Sequence, residues 1–257
     1  MTEVDADLTA SREAHREKAT DVDVFGRAPK DRPDWSHRRG EPRGLFLGWL
    51  VYMLIASGAA FSSAGIGGSI SVESYRASAS RFALALMVGL FVLWPMLRLS
   101  QAAPRRPLRS IAVDLAVLLV PLQVVIWPHV FLAAWPPLVC AGLSAATGGW
   151  ALVAASLLGV CISAGGVAWR VSGVIAVLTI GLGVPTALAV GGAGLDVPWV
   201  SPLTAAAALT RDQTWSGGTV GPGGEAAWRI GWITLACGVS LLLAAGGAMV
   251  AVRRGRA

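Results

Sequence analysis

Polar and apolar positions are segregated along this chain. Residues 1–43 are polar and mixed in charge, running through SREAHREKATDVDVF to RRGEPRG. Beyond them the sequence passes through six apolar segments. These are GLFLGWLVYMLIASGAAFSSAG (44–65), FALALMVGLFVLWPML (82–97), IAVDLAVLLVPLQVVIWPHVFLAAW (111–135), a segment within PLVCAGLSAATGGWALVAASLLGVCISAG (137–165), VSGVIAVLTIGLGVPTALAVGG (171–192) and RIGWITLACGVSLLLAAGGAMVAV (229–252). About 20 apolar residues in a helix cross the ~30 Å of bilayer hydrocarbon. The pattern therefore predicts an all-α integral membrane protein, a six-helix transmembrane domain over 44–252. A cytoplasmic tail over 1–43, largely disordered but for a short helix after Ser11, precedes it, and a basic end over 253–257 follows. Pro121 and Pro128 are expected to bend the third segment. The apolar run is almost unbroken between the third and fourth. Nothing in residues 1–43 reads as a secretory signal, because no apolar core follows a short basic start.

Charge placement sharpens this picture. Ten of the 15 acidic residues precede Gly44, and the whole chain is 54% hydrophobic and only 14% charged, with mean hydropathy +0.62. So few carboxylates can solvate little surface. The arginines cluster before the first segment (Arg38, Arg39, Arg43), after the second (Arg98, Arg105, Arg106, Arg109) and after the sixth (Arg253, Arg254, Arg256). The intervening loops are close to neutral, setting Arg76 and Arg81 against Glu73, and Arg211 and Arg229 against Asp196, Asp212 and Glu225. By the positive-inside rule both termini are expected in the cytoplasm of a cell-membrane protein. Basic residues that flank apolar segments account for the pI near 10.0 without a nucleic-acid partner. Small residues in GAAFSSAGIGG, GLSAATGG and GGAMVA are expected to let helices approach closely, within the chain or against a second copy.

One apolar stretch is too short to span. SPLTAAAALT begins at Ser201, a good helix N-cap, with Pro202 suited to the first helical position. It offers at most three turns. By the arginine count it lies on the outer side, dipping into the bilayer edge or lying along it, with Trp199 and Trp215 at the interface; a loop helix packed on the bundle is the other reading. The glycine-rich TWSGGTVGPGGEAAW after it reads as an exposed loop.

With that stretch the chain resembles a known family. LLGVCISAGGVAWRVSGVIAVLTIGLGVPTALAV, a gap, then VSPLTAAAAL is similar to the carboxyl-terminal half of type-2 (exporter-like) ABC transporter permeases. Ser163-Ala164, Arg170, Pro185 and Ser201-Pro202-Leu203-Thr204 follow the family's order and spacing, and the resemblance covers roughly residues 150–252. It implies a six-helix permease half that pairs with a second half as a homo- or heterodimer. It also implies an external re-entrant helix over Ser201, Pro202, Leu203 and Thr204. A cytoplasmic ABC ATPase would dock on the loop RLSQAAPRRPLRS, where Arg98, Arg105, Arg106 and Arg109 stand. Relatives often carry an acidic Gly-Thr motif in that loop, and this chain has no carboxylate there, so a cluster that only sets topology is the competing reading.

Candidate chemistry is sparse. Asp114, about one turn into the third segment, is expected to pair with Arg109 or Arg105. His129 is the lone histidine of the apolar segments and reads as structural. Cys140, Cys161 and Cys237 have no metal-ligand spacing. Neither a P-loop nor an HExxH is present. The sequence thus predicts no enzyme, no cofactor and no metal. Its rival to transport is a non-transporting membrane anchor or assembly subunit.

Overall fold

The computed structural model describes residues 42–62, 72–100, 107–164, 167–185, 187, 200–210 and 224–254. Among these the chain is helical, with no strand. The elements are α1 (Pro42–Phe61), α2 (Val72–Ser100), α3 (Pro107–Ile126), the short α4 (His129–Leu132), α5 (Pro137–Ala164), α6 (Val167–Leu178) widening into a π-helical turn (Thr179–Gly183), α7 (Pro202–Thr210) and α8 (Gly224–Arg254). Five stretches are long and apolar enough to cross a membrane: Arg43–Phe61, Ser74–Arg98, Arg109–Leu132, Pro137–Ala164 and Gly224–Ala251. The chain is a multi-pass helical membrane protein. The expected fifth segment, 171–192, corresponds to a shorter apolar helix, Ala168–Gly183, roughly 24 Å long at the usual rise and so below spanning length. The N-terminal 41 residues, Arg105 and Arg106, the TWSGG loop and Trp199 lie outside the described residues.

Helices α2 and α5 are the centre of the bundle, 56% and 50% buried over their apolar windows, against 28% for α1 and α3 and 22% for α8. The outer three expose Leu54, Ile55, Val120, Val124, Ile233 and Leu243, side chains whose favourable solvent is lipid. Exposed aromatic rings sit at both ends of the bundle. Trp127, Phe131 and Trp232 lie toward one end and Trp169 toward the other, as expected at two membrane interfaces.

Polar side chains tie the first three long helices together inside this apolar setting. The Trp49 indole of α1 donates to the Leu118 carbonyl of α3 (3.1 Å), and the Tyr52 hydroxyl donates to the Ala85 carbonyl of α2 (2.6 Å). The Tyr52 ring also fills the space where Gly89 has no side chain. Such bonds have no water to compete with in hydrocarbon.

The fit of α8 against α5 depends on glycine. A Cβ placed at Gly142, Gly149, Gly231 or Gly238 would fall within 3.0 Å of facing backbone: Gly142 against Ala227, Gly149 against Thr234, Gly231 against Gly142, and Gly238 against Gly149. Gly142 and Gly149 are seven residues apart, as are Gly231 and Gly238. Two helices with a seven-residue repeat keep the same faces together over successive turns. GLSAATGG thus makes the close contact that its composition predicts. Within the chain, Gly246 and Gly247 of GGAMVA have nothing within 4 Å; the α8 glycines in the seam lie instead in RIGWITLACGV.

Two segment boundaries differ from expectation for clear reasons. The second helix begins at Val72, ten residues before the apolar run, because its polar first half is bound to other elements. Arg76 and Arg81 consequently stand on α2, not in a loop. The third apolar segment ends as a helix at Ile126, and after Trp127 and Pro128 the chain resumes as α4. Pro121 is accommodated inside α3.

Candidate functional site

Three polar assemblies are built into this bundle. At one end, α2 finishes with Trp94 and Arg98 facing the first turns of α3. The Arg98 guanidinium donates through Nε to Asp114 Oδ2 and through Nη2 to the Ser110 hydroxyl (2.6 Å) and carbonyl (3.2 Å). The Trp94 indole donates to the same carboxylate oxygen (2.9 Å). Arg98 and Asp114 are 7% and 2% exposed, so both charges are desolvated and compensate one another. Among the described residues the partner of Asp114 is therefore Arg98 and not the expected Arg109; Arg105, the other expected partner, lies outside them. Arg109 lies five residues earlier on the same helix, about 140° around it, and its side chain is exposed. Arg98 and Arg170 line a shallow cleft together with Leu158, Cys161, Ile162 and Val174.

The second assembly is the start of α7. The Ser201 hydroxyl accepts from the Thr204 N–H (3.1 Å), while Thr204 Oγ1 accepts from the Ser201 N–H (3.0 Å). This reciprocal exchange caps two of the N–H groups that a helix start leaves unpaired. Both residues are fully buried, as are Ala205, Ala206 and Leu209 nearby. The helix lies against α2 and α5, and its last carbonyl, Thr210, accepts from the Ser80 hydroxyl of α2 (3.3 Å). Protein, then, covers most of α7. Ser201, Pro202 and Thr204 are all buried, and Leu203 is half-buried.

The third assembly is the corner between α4 and α5, which the sequence did not reveal. Ala134 adopts a left-handed conformation (φ 48°), unfavourable for a residue with a Cβ by about 1–2 kcal/mol. The corner is held by Arg76, whose Nε donates to the Ala133 carbonyl (2.7 Å), and by the Trp135 N–H, which returns to the His129 carbonyl (3.1 Å). Behind it the rings of Tyr75, Phe82 and Trp135 surround His129, with centroids 6.3, 6.5 and 5.1 Å from the imidazole.

The two regions singled out in the sequence are not brought together. Arg98 and Ser80, which mark the arginine end and the α7 contact, stand 18 residues apart on α2, about 27 Å at helical rise. The chemistry of the arrangement is that of fixed polar contacts between helices, with exposed apolar faces on α1, α3 and α8. Comparison with protein-family models, with curated proteins and with solved structures finds no match for this chain.

Proposed function

We propose that this chain is the permease half of a type-2 ABC transporter, forming a translocation path with a second permease half and driven by a separate ATPase. The observation that carries this reading is α7, a capped, buried helix too short to span, set between the short α6 and the last long helix. That order of elements is what the resemblance implies. The chain leaves α5 at its Ala164 end and enters α8 at the opposite end, where Gly224 lies against Leu138. Residues 165–223 therefore make one net passage along the bundle. In this reading α6, its π turn and α7 together constitute a discontinuous crossing, the sixth, with α7 as a re-entrant outer helix. Irregular backbone at membrane depth is tolerated where protein covers it, and protein covers α7. Both termini then lie in the cytoplasm. The open apolar face of α8, with Gly246 and Gly247 uncovered, suits a second permease half.

The second reading is a non-transporting membrane anchor. It is favoured by two observations: Arg98, expected in the basic loop, lies in the last turn of α2 in a buried ion pair with Asp114, and RLSQAAPRRPLRS carries no carboxylate. Tagging the chain, solubilising it in mild detergent and assaying the eluate separates the two. The permease reading predicts a copurifying ATPase that is lost when Arg105→Glu and Arg106→Glu are introduced together. Recovery of the intact chain with no nucleotide-binding protein would favour the anchor.

A further inference from the structure

The aromatic corner holds two buried polar atoms whose needs the described residues do not meet. His129 and Trp135 are 6% and 2% exposed, and neither His129 Nε2 nor Trp135 Nε1 has a hydrogen-bond partner among the described residues. Both residues line one small cavity, walled otherwise by apolar groups including Phe82, Leu86, Ile126 and Leu143. An unmet buried donor or acceptor costs roughly 1–3 kcal/mol, so two on one cavity call for an occupant. The protonation of the imidazole follows from its other nitrogen. Nδ1 faces the Val125 carbonyl at 2.8 Å, and a carbonyl can only accept, so Nδ1 carries the hydrogen. In the neutral ring Nε2 is then an acceptor. The Trp135 indole N–H can only donate. One unmet acceptor and one unmet donor thus stand on two residues that line the same apolar cavity, which has room for about one water molecule.

We propose that this cavity is a binding site for a single hydroxyl, which donates to His129 Nε2 and accepts from Trp135 Nε1–H. Only a group that both gives and takes a hydrogen bond fits. A carboxylate or phosphate leaves Nε2 facing another acceptor, and an ammonium leaves the indole facing another donor. The hydroxyl of water or of a hydroxyl-bearing lipid satisfies both atoms. Its bridge joins α4 to the link into α5 at the corner that Arg76 clasps from α2.

The test uses the full chain, with His15→Gln and His37→Gln so that His129 is the sole histidine, ¹⁵N-labelled at His and Trp, in two bilayer nanodiscs. One contains deuterated phosphatidylcholine, whose head group has no hydroxyl; the other contains phosphatidylglycerol, whose head group has two. The Trp135 indole N–H is identified by its loss in Trp135→Phe. The site predicts a dipolar cross-peak from that N–H to water in the first disc, with a sign that excludes hydrogen exchange. If lipid is the donor, the cross-peak appears only in the second disc, to the glycerol head group. Either pattern supports the site, and His129→Phe should abolish it. An indole N–H with no hydroxyl-bearing neighbour in either disc would overturn it, as would an Nε2 resonance with the shift of a nitrogen that accepts no hydrogen bond.

Discussion

Gly149→Leu should prevent the bundle from folding stably, whereas Gly247→Leu on α8 should be close to silent. A Cβ at Gly149 meets the Thr234 carbonyl, and Gly238 of α8 already presses on the backbone of Gly149. Backbone cannot rotate aside as a side chain can. The leucine must force α5 and α8 apart, and the seam then loses its contacts over several turns. Overpacking of cores costs roughly 1–3 kcal/mol, and this substitution belongs at or above the top of that range because rigid main chain is the obstacle. Gly247 has nothing within 4 Å, so leucine there should change stability by less than about 0.5 kcal/mol. Reversible unfolding in mixed detergent reads both. Gly238→Leu added to Gly149→Leu should cost much less than it does alone, since the two share one contact.

The second large effect concerns the buried ion pair. Arg98→Leu strips Asp114 of its cation and leaves a desolvated carboxylate held by the Trp94 indole, and Asp114→Leu strands the guanidinium. Each single change should lower the unfolding free energy by roughly 3–5 kcal/mol. Arg98→Met combined with Asp114→Leu removes both charges and should recover most of that loss, because the desolvation cost disappears along with the attraction. A double variant as unstable as the sum of the singles would mean that the pair does more than compensate itself. Arg109→Gln, at an exposed position, serves as the control and should be neutral.

The legibility of this molecule in its sequence divides along a physical line. Long apolar helices are dictated by local composition, so five of them could be placed from hydropathy alone. The beginning of α2 could not. Ser74, Arg76, Ser78 and Ser80 lower the local hydropathy, and only the folded chain brings the Ala133 and Thr210 carbonyls to Arg76 and Ser80. The cap of α7 was readable because Ser201, Pro202 and Thr204 are neighbours in sequence. Its burial was not, since α2 and α5 supply that from distant parts of the chain. Proximity in sequence made Arg109 the natural partner for Asp114, but helix geometry turns the two apart, and the true partner comes from another helix. The hydroxyl-seeking corner was hidden for the same reason. Tyr75, Phe82, His129 and Trp135 come from α2, from α4 and from the link into α5, and no motif joins them.

The proposed permease carries the chain across the bilayer once between α5 and α8, so that both ends face the same side. Single cysteines introduced by Thr2→Cys, Gly217→Cys and Arg256→Cys, with the three native cysteines replaced by serine or alanine, can be probed with a membrane-impermeant maleimide. Position 217 should be labelled in intact cells, and positions 2 and 256 only after the membrane is opened. Labelling of positions 2 and 256 from opposite sides would overturn this topology.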